Sequence, residues 1–195
     1  MSEMSDTATA AELQIPGRGH VGMACLILTE CAFFAIFVTA HLFYLGKSLT
    51  GPYASEILDA PVLGTICLLS SSITVALAVR ALRQGHLAAF IGFWLLTILL
   101  GLEFLIGTGF EWYRLIYDDG LTISSNLLGT TFYSLVGFHA AHVTLGLIML
   151  TGVLIFSLAG FIRIEEAERV DVLSWYWHFV DAVWVVVFSV VYLTV

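Results

Sequence analysis

The chain has 195 residues, 59% of them hydrophobic and 11% charged, with a formal net charge of −8 and a mean hydropathy of +0.98. A soluble domain carries about 25% charged residues, and one core of this size has no room for so much apolar surface, so the composition reads as a polytopic membrane protein. Seven Lys and Arg in the whole chain leave no basic footprint for a nucleic-acid backbone.

The first twenty residues, "MSEMSDTATAAELQIPGRGH", are polar and acidic, without the basic stretch and apolar core of a signal peptide. Residues 1–19 are expected to form a mobile cytoplasmic tail, and residues 20–195 a transmembrane domain. Five long apolar segments follow, each at or above the roughly 20 residues that a span needs. They run from about Val21 to Leu45, from Val62 to Leu82, from His86 to Tyr113, from Leu128 with no charge until Arg163, and from Val172 to Val195. The fourth is long for one span and short for two with a hairpin, and it holds no Pro, so it is predicted to be one long helix. Ser124, Ser125 and Asn126 stand ahead of it as N-cap candidates.

The expected architecture is all-α: a membrane bundle of five transmembrane helices, with short loops making successive helices antiparallel neighbours. Five spans put Arg18, Arg80, Arg83, Arg163 and Arg169 on one side, and Lys47 and Arg114 on the other. The richer side is expected to be cytoplasmic, with the N-terminus inside and the C-terminus outside. Cys25, Cys31 and Cys67 lie in apolar segments without metal-site spacing, and read as small buried hydrophobes.

Ionisable groups in hydrocarbon are costly and face a protein interior or a cavity. Those inside the apolar segments are Glu30, His41, Glu103, Glu111, His139, His142, His178 and Asp181. Glu30, midway along a strongly apolar helix, reads equally as part of a proton-linked or lipid-lined pocket and as a neutral acid bonded to a neighbouring helix. Glu103 carries the same two readings. Glu111 and Arg114, at i, i+3, are expected to form a local ion pair. His139 and His142, in "GFHAAHVTLG", share one helical face. A metal or haem site needs further ligands, and flanking Gly137 and Gly146 favour close helix packing instead. His178 and Asp181, in "WYWHFVDAVW", also share a face. They read as a polar clasp to a neighbouring helix, ahead of a proton relay or a metal's outer shell. Amphipathic indoles favour the membrane interface, so Trp175 and Trp177 are expected at the cytoplasmic boundary, with His178 near the headgroups.

Several of these motifs coincide in order. "YWHFVDAVW" and "GTTFYSLVGFHAAHVTLG" resemble the two signatures of subunit III of the haem–copper oxidases, the cytochrome c oxidase subunit 3 family. "LILTECAFFAIF" and "LLGLEFLIGTGFEWYRL" resemble two further helices of that family, and the likeness runs from about residue 20 onward, in its short five-helix bacterial form. Thr29 replaces the usual Ser before Glu30. "VGFHAAH" lacks the usual Thr before Gly137 and the usual Gly after His139. Glu103 stands where the family commonly has an aromatic.

The resemblance implies a non-catalytic subunit of a proton-pumping terminal oxidase of aerobic respiration. It implies no haem, copper or other metal in this chain, with those cofactors in partner subunits. The implied partners are oxidase subunit I, other oxidase subunits and bound phospholipids, and a larger respiratory supercomplex is compatible with them. The implied place is a bacterial inner membrane. A lipid cleft between the first two helices and the rest is implied as well, with roles in proton uptake and in the stability of subunit I. Glu30, Glu111, His139, His142, His178 and Asp181 are carried over as structural or lipid-cleft residues. A quinol oxidase or nitric oxide reductase relative shares these motifs. Rival readings of another class are a haem-binding redox subunit and a small proton-coupled transporter built on Glu30.

Overall fold

The computed structural model describes residues 18–48, 51 and 58–194. It contains α1 (Arg18–Tyr44), α2 (Val62–Arg83), α3 (Leu87–Tyr117), α4 (Leu127–Leu158) and α5 (Ala167–Tyr192), with a short 3-10 turn, Ile164–Glu166, leading into α5. No strand occurs among the described residues. All five helices are long and apolar enough to cross a membrane, as the hydropathy pattern predicts. The fourth segment is one unbroken helix of 32 residues. At about 1.5 Å per residue it is ~48 Å long, against roughly 30 Å of hydrocarbon, so tilt or projection takes up the excess.

Two boundaries differ from the expected ones. α1 starts at Arg18, inside the segment assigned to the tail; residues 1–17 of that tail lie outside the described residues. α5 starts at Ala167 rather than Val172. Hydropathy marks only the apolar part of a helix, whereas the charged first turns of α5 are helical too and are tied to the bundle. Asp171 pairs with Arg83 at 2.9 Å and with His20 at 3.4 Å. Those two bonds bring the start of α1, the end of α2 and the start of α5 to one end of the bundle.

Of the N-cap candidates, Asn126 takes the position before α4, its Oδ1 accepting from the Gly129 N–H at 2.8 Å. The tight link "RQGH" works because Gly85 adopts φ +78°, a region that side chains avoid. Its N–H and that of His86 then donate to Leu82 O and Ala81 O, closing the helix end.

The helices form a ring in the order α1, α4, α3, α2, α5, with α4 and α5 also packed across the middle. The extensive contacts of α1 are with α4 and α5, and those of α2 are with α3 and α5. α1 buries only Phe34 and His41. Cys25 and Cys31 are exposed on it, which corrects their reading as buried residues.

Trp177 joins four helices. Its ring is 1% exposed and lies against Gly101 of α3 and Gly146 of α4, where a Cβ would come within 2.8 Å of it. Its indole N–H donates to Ser71 Oγ of α2 at 2.8 Å. Trp177 is thus a core residue and not an interfacial anchor: the two glycines make room for the ring, and Ser71 replaces the headgroup as acceptor. Trp175 is 41% exposed and packs edge-on against His20.

Candidate functional site

The membrane-embedded polar residues fall into separate nodes, each crossing a helix interface. The first joins α1 to α4. His142 Nε2 lies 3.1 Å from Glu30 Oε2, and its Nδ1 lies 2.8 Å from Phe138 O. A carbonyl oxygen only accepts, so Nδ1 carries a hydrogen. The gap between Nε2 and Oε2 then holds one proton, on either partner, and the pair is satisfied without net charge. Phe34 packs on the His142 ring at 5.0 Å between centroids.

His139, one turn away on α4, goes elsewhere. It is 0% exposed, with both ring nitrogens lacking a hydrogen-bond partner. It stacks on Trp184 at 5.0 Å and meets Phe104 edge-on at 5.8 Å. The i, i+3 spacing thus places the two histidines on one face but not in one site: His142 meets a carboxylate and His139 an aromatic cage.

The second node joins α2 to α5. Ser72 Oγ lies 3.0 Å from His178 Nδ1 and donates to Asp181 Oδ2. Since its hydrogen goes to the carboxylate, its oxygen accepts from His178 Nδ1–H. The two residues of the motif meet through a hydroxyl and not face to face. Asp181 is 3% exposed, and its Oδ1 has no partner. Trp184 Nε1 donates to Thr65 Oγ1 at 3.1 Å, so hydroxyls along α2 (Thr65, Ser71 and Ser72) receive successive polar groups of α5.

These α2 hydroxyls are the functional residues that sequence reasoning missed. The signal was the run Ser70–Ser72 inside an apolar helix, facing an element rich in donors. His178 stands eleven residues after the start of α5, about 16 Å along the helix, and lines a groove with Arg80, Arg83 and Asp171.

At the opposite end, Glu111 accepts from the Tyr192 hydroxyl at 2.9 Å. Arg114 pairs with Asp59 at 2.6 Å and with Asp119 at 3.6 Å. Glu111 is thus bonded to α5, a partner that the expected local pair with Arg114 did not include. A groove of about 560 Å³ opens here, with Glu103, Phe104, Thr108, Glu111 and Arg114 among its lining. Glu103 Oε2 is buried without a partner. His41, buried on α1, bonds Thr131 Oγ1 through Nδ1 at 3.1 Å. Among the described residues, no three His, Cys, Asp or Glu side chains gather as a metal site would require.

Comparison with known proteins gives a consistent result. A family model described as cytochrome c oxidase subunit III matches residues 15–194. A probable cytochrome c oxidase subunit 3 of Mycobacterium leprae is 35% identical over 191 residues, which is 95% of this chain and 93% of that one. The cytochrome c oxidase subunit 3 of Bacillus subtilis is 34% identical over 192 residues, covering 95% and 91%. That of Alkalihalophilus pseudofirmus is 36% identical over 166 residues, covering 84% and 81%. These likenesses do not favour a proton-coupled transporter, a haem-binding redox subunit, or a quinol oxidase or nitric oxide reductase subunit.

Proposed function

The chain belongs to the cytochrome c oxidase subunit III family and is a subunit III of a haem–copper oxidase; from that premise we propose that it is a non-catalytic buttress which stabilises the redox-active subunit I. Family membership and five apolar helices make it a multi-pass membrane protein working in a complex with other oxidase subunits. In this reading the haem and copper reside in those partners. Phospholipids and subunit I cover the exposed apolar faces, and the subunit supports proton uptake by the complex.

The observation that carries the reading is where the buried polar groups go. Glu30 bonds His142, Ser72 bonds both His178 and Asp181, and Glu111 bonds Tyr192. Each bond ties two helices together, and none converges with the others on one open reaction centre. Polar side chains used in this way hold membrane helices in register. The proposed orientation, N-terminus cytoplasmic in a bacterial plasma membrane, rests on the excess of Arg at the end where Arg18, Arg80, Arg83, Arg163 and Arg169 lie.

The test is affinity purification of the tagged chain in mild detergent, with an optical spectrum and dioxygen uptake measured on the eluate. Co-elution with haem and donor-dependent respiration is expected, and the donor that works, cytochrome c or a quinol, names the oxidase class. A colourless chain, in a detergent that keeps respiratory complexes intact, overturns the reading. His178→Ala should lower the yield of assembled complex and leave haem and copper per catalytic subunit unchanged. Metal loss from intact complexes would count against the buttress role.

A further inference from the structure

A groove of about 340 Å³ lies at the charged end of the bundle, between α2 and α5, lined by Arg80, Arg83, Asp171, Ser174, Trp175 and His178 among others. A water needs about 10–15 Å³ of such space, so the groove has room for several. His178 stands on its wall with Nδ1 turned to Ser72, which leaves Nε2 as the nitrogen available to water. Behind it stand Ser72 and then Asp181, sealed from solvent at 3% exposure, with Oδ1 unpartnered. We propose that Asp181 is a proton-binding site filled from this groove through His178 and Ser72.

The transfer balances without any further reactant. At the start, His178 Nδ1–H donates to Ser72 Oγ, and the Ser72 hydroxyl donates to Asp181 Oδ2. A hydronium in the groove gives a proton to His178 Nε2 and leaves as water. The Nδ1 proton passes to Ser72 Oγ, and the former Ser72 proton passes to Asp181 Oδ2. At the end, Asp181 Oδ2–H donates to Ser72, Ser72 donates to His178 Nδ1, and Nε2 carries the hydrogen. One proton has moved inward, the imidazole is neutral before and after, and every bond of the file is kept with its direction reversed. Release runs the same steps backwards. An imidazole suits this relay because its two nitrogens exchange donor and acceptor roles.

The surroundings leave the file distinct from the other ionisable groups. From α2, Ser71, Arg80 and Arg83 face this part of α5, and Arg83 is paired with Asp171. From α1, His20 also bonds Asp171. On α4, His142 is engaged by Glu30, and His139 stacks on Trp184. The 3-10 turn contributes Glu166, which pairs with Arg169, and Glu165, which lines a different groove with Leu82, Gly85 and Leu87.

The proposal concerns a proton and not a redox centre, so it goes beyond the buttress role and can fail independently of it. The test is infrared spectroscopy on membranes holding the full chain in its native assembly, with D181N as the reference. As pH falls, the wild type should gain a protonated-carboxyl band that D181N lacks. On transfer to heavy water, that band should shift quickly in the wild type and in S72T, which keeps the hydroxyl. It should shift about a hundred-fold more slowly in S72A and in H178Q, near the lower end of what a positioned proton-transfer group contributes. Gln at 178 keeps a polar amide in the place of the ring but has no pair of nitrogens to pass a proton between, so H178Q decides the question if S72A does not assemble. The absence of a D181N-sensitive band at every pH overturns the site. Exchange in H178Q at the wild-type rate overturns the route.

Discussion

A Cβ placed on Gly146 would stand 2.8 Å from the Cε3 and Cζ3 atoms of Trp177. The ring has nowhere to retreat, because Ser71 holds its N–H and Gly101 borders its other side. Overpacking a filled core costs about 1–3 kcal/mol, so Gly146→Ala should lower the unfolding temperature and the yield of assembled complex. Gly107 and Gly152, which have nothing within 4 Å, supply the control. Ala at either position should be neutral or stabilising, by up to about 1 kcal/mol, because Gly weakens a helix interior. Equal losses at Gly146 and Gly107 would show that the close approach to Trp177 does not matter.

Glu30 and His142 share one proton across 3.1 Å, so the chemistry of the replacement decides the outcome. In Glu30→Gln the amide N–H₂ donates to Nε2 and restores the bond. In Glu30→Leu the imidazole nitrogen is left with no partner, at a cost of about 1–3 kcal/mol. Thermal unfolding in one detergent should therefore rank wild type and Gln together, well above Leu. If Gln and Leu lose stability equally, the pair serves through charge and not through the hydrogen bond.

The five helices were legible because each apolar run exceeds a bilayer thickness, and because the tight link at Gly85 and the cap residue Asn126 punctuate the runs. The unbroken α4 was legible from the absence of Pro and charge. The shared face of His178 and Asp181 followed from helical spacing alone. What was not legible is everything that depends on which helices become neighbours. Ser72 is the bridge only because α2 packs on α5, and a Ser inside an apolar helix reads locally as a small packing residue. Trp177 was misplaced because an indole's preference for headgroups is an average. That average gives way where glycines on two other helices open a slot and a third helix supplies an acceptor. Glu111 has a nearby Arg114 in its own sequence, yet it bonds Tyr192 at the far end of α5.

The indole acceptors on α2 should be individually measurable. Ser71 is 0% exposed, and its hydroxyl accepts from Trp177 while donating to Leu68 O at 2.6 Å. Ser71→Ala leaves a buried indole N–H unpartnered at about 1–3 kcal/mol. Thr65→Val does the same to Trp184 while keeping the side-chain shape. The two residues serve different indoles, so the double variant should show additive losses of unfolding free energy, within about 0.5 kcal/mol. A strongly non-additive result would mean that α2 and α5 separate as a unit once either bond is lost.

The start of α4 gives the most severe local test. A Cβ on Gly129 would collide with the Thr122 carbonyl oxygen. That atom is backbone, in a loop where Ser125 also bonds Thr122 and Thr130 bonds Ile123 O, so the clash has no flexible side chain to absorb it. Gly129→Ala should therefore shift the whole turn between α3 and α4. It should cost more than Asn126→Ala, which removes the cap on the Gly129 N–H, at about 0.5–2 kcal/mol. Limited proteolysis of the turn and thermal unfolding read the two effects separately. Gly129→Ala should show both faster cleavage and the larger loss of stability, and Asn126→Ala the loss of stability with little cleavage. If Asn126→Ala is the more damaging, the cap and not the close carbonyl approach fixes where α4 begins.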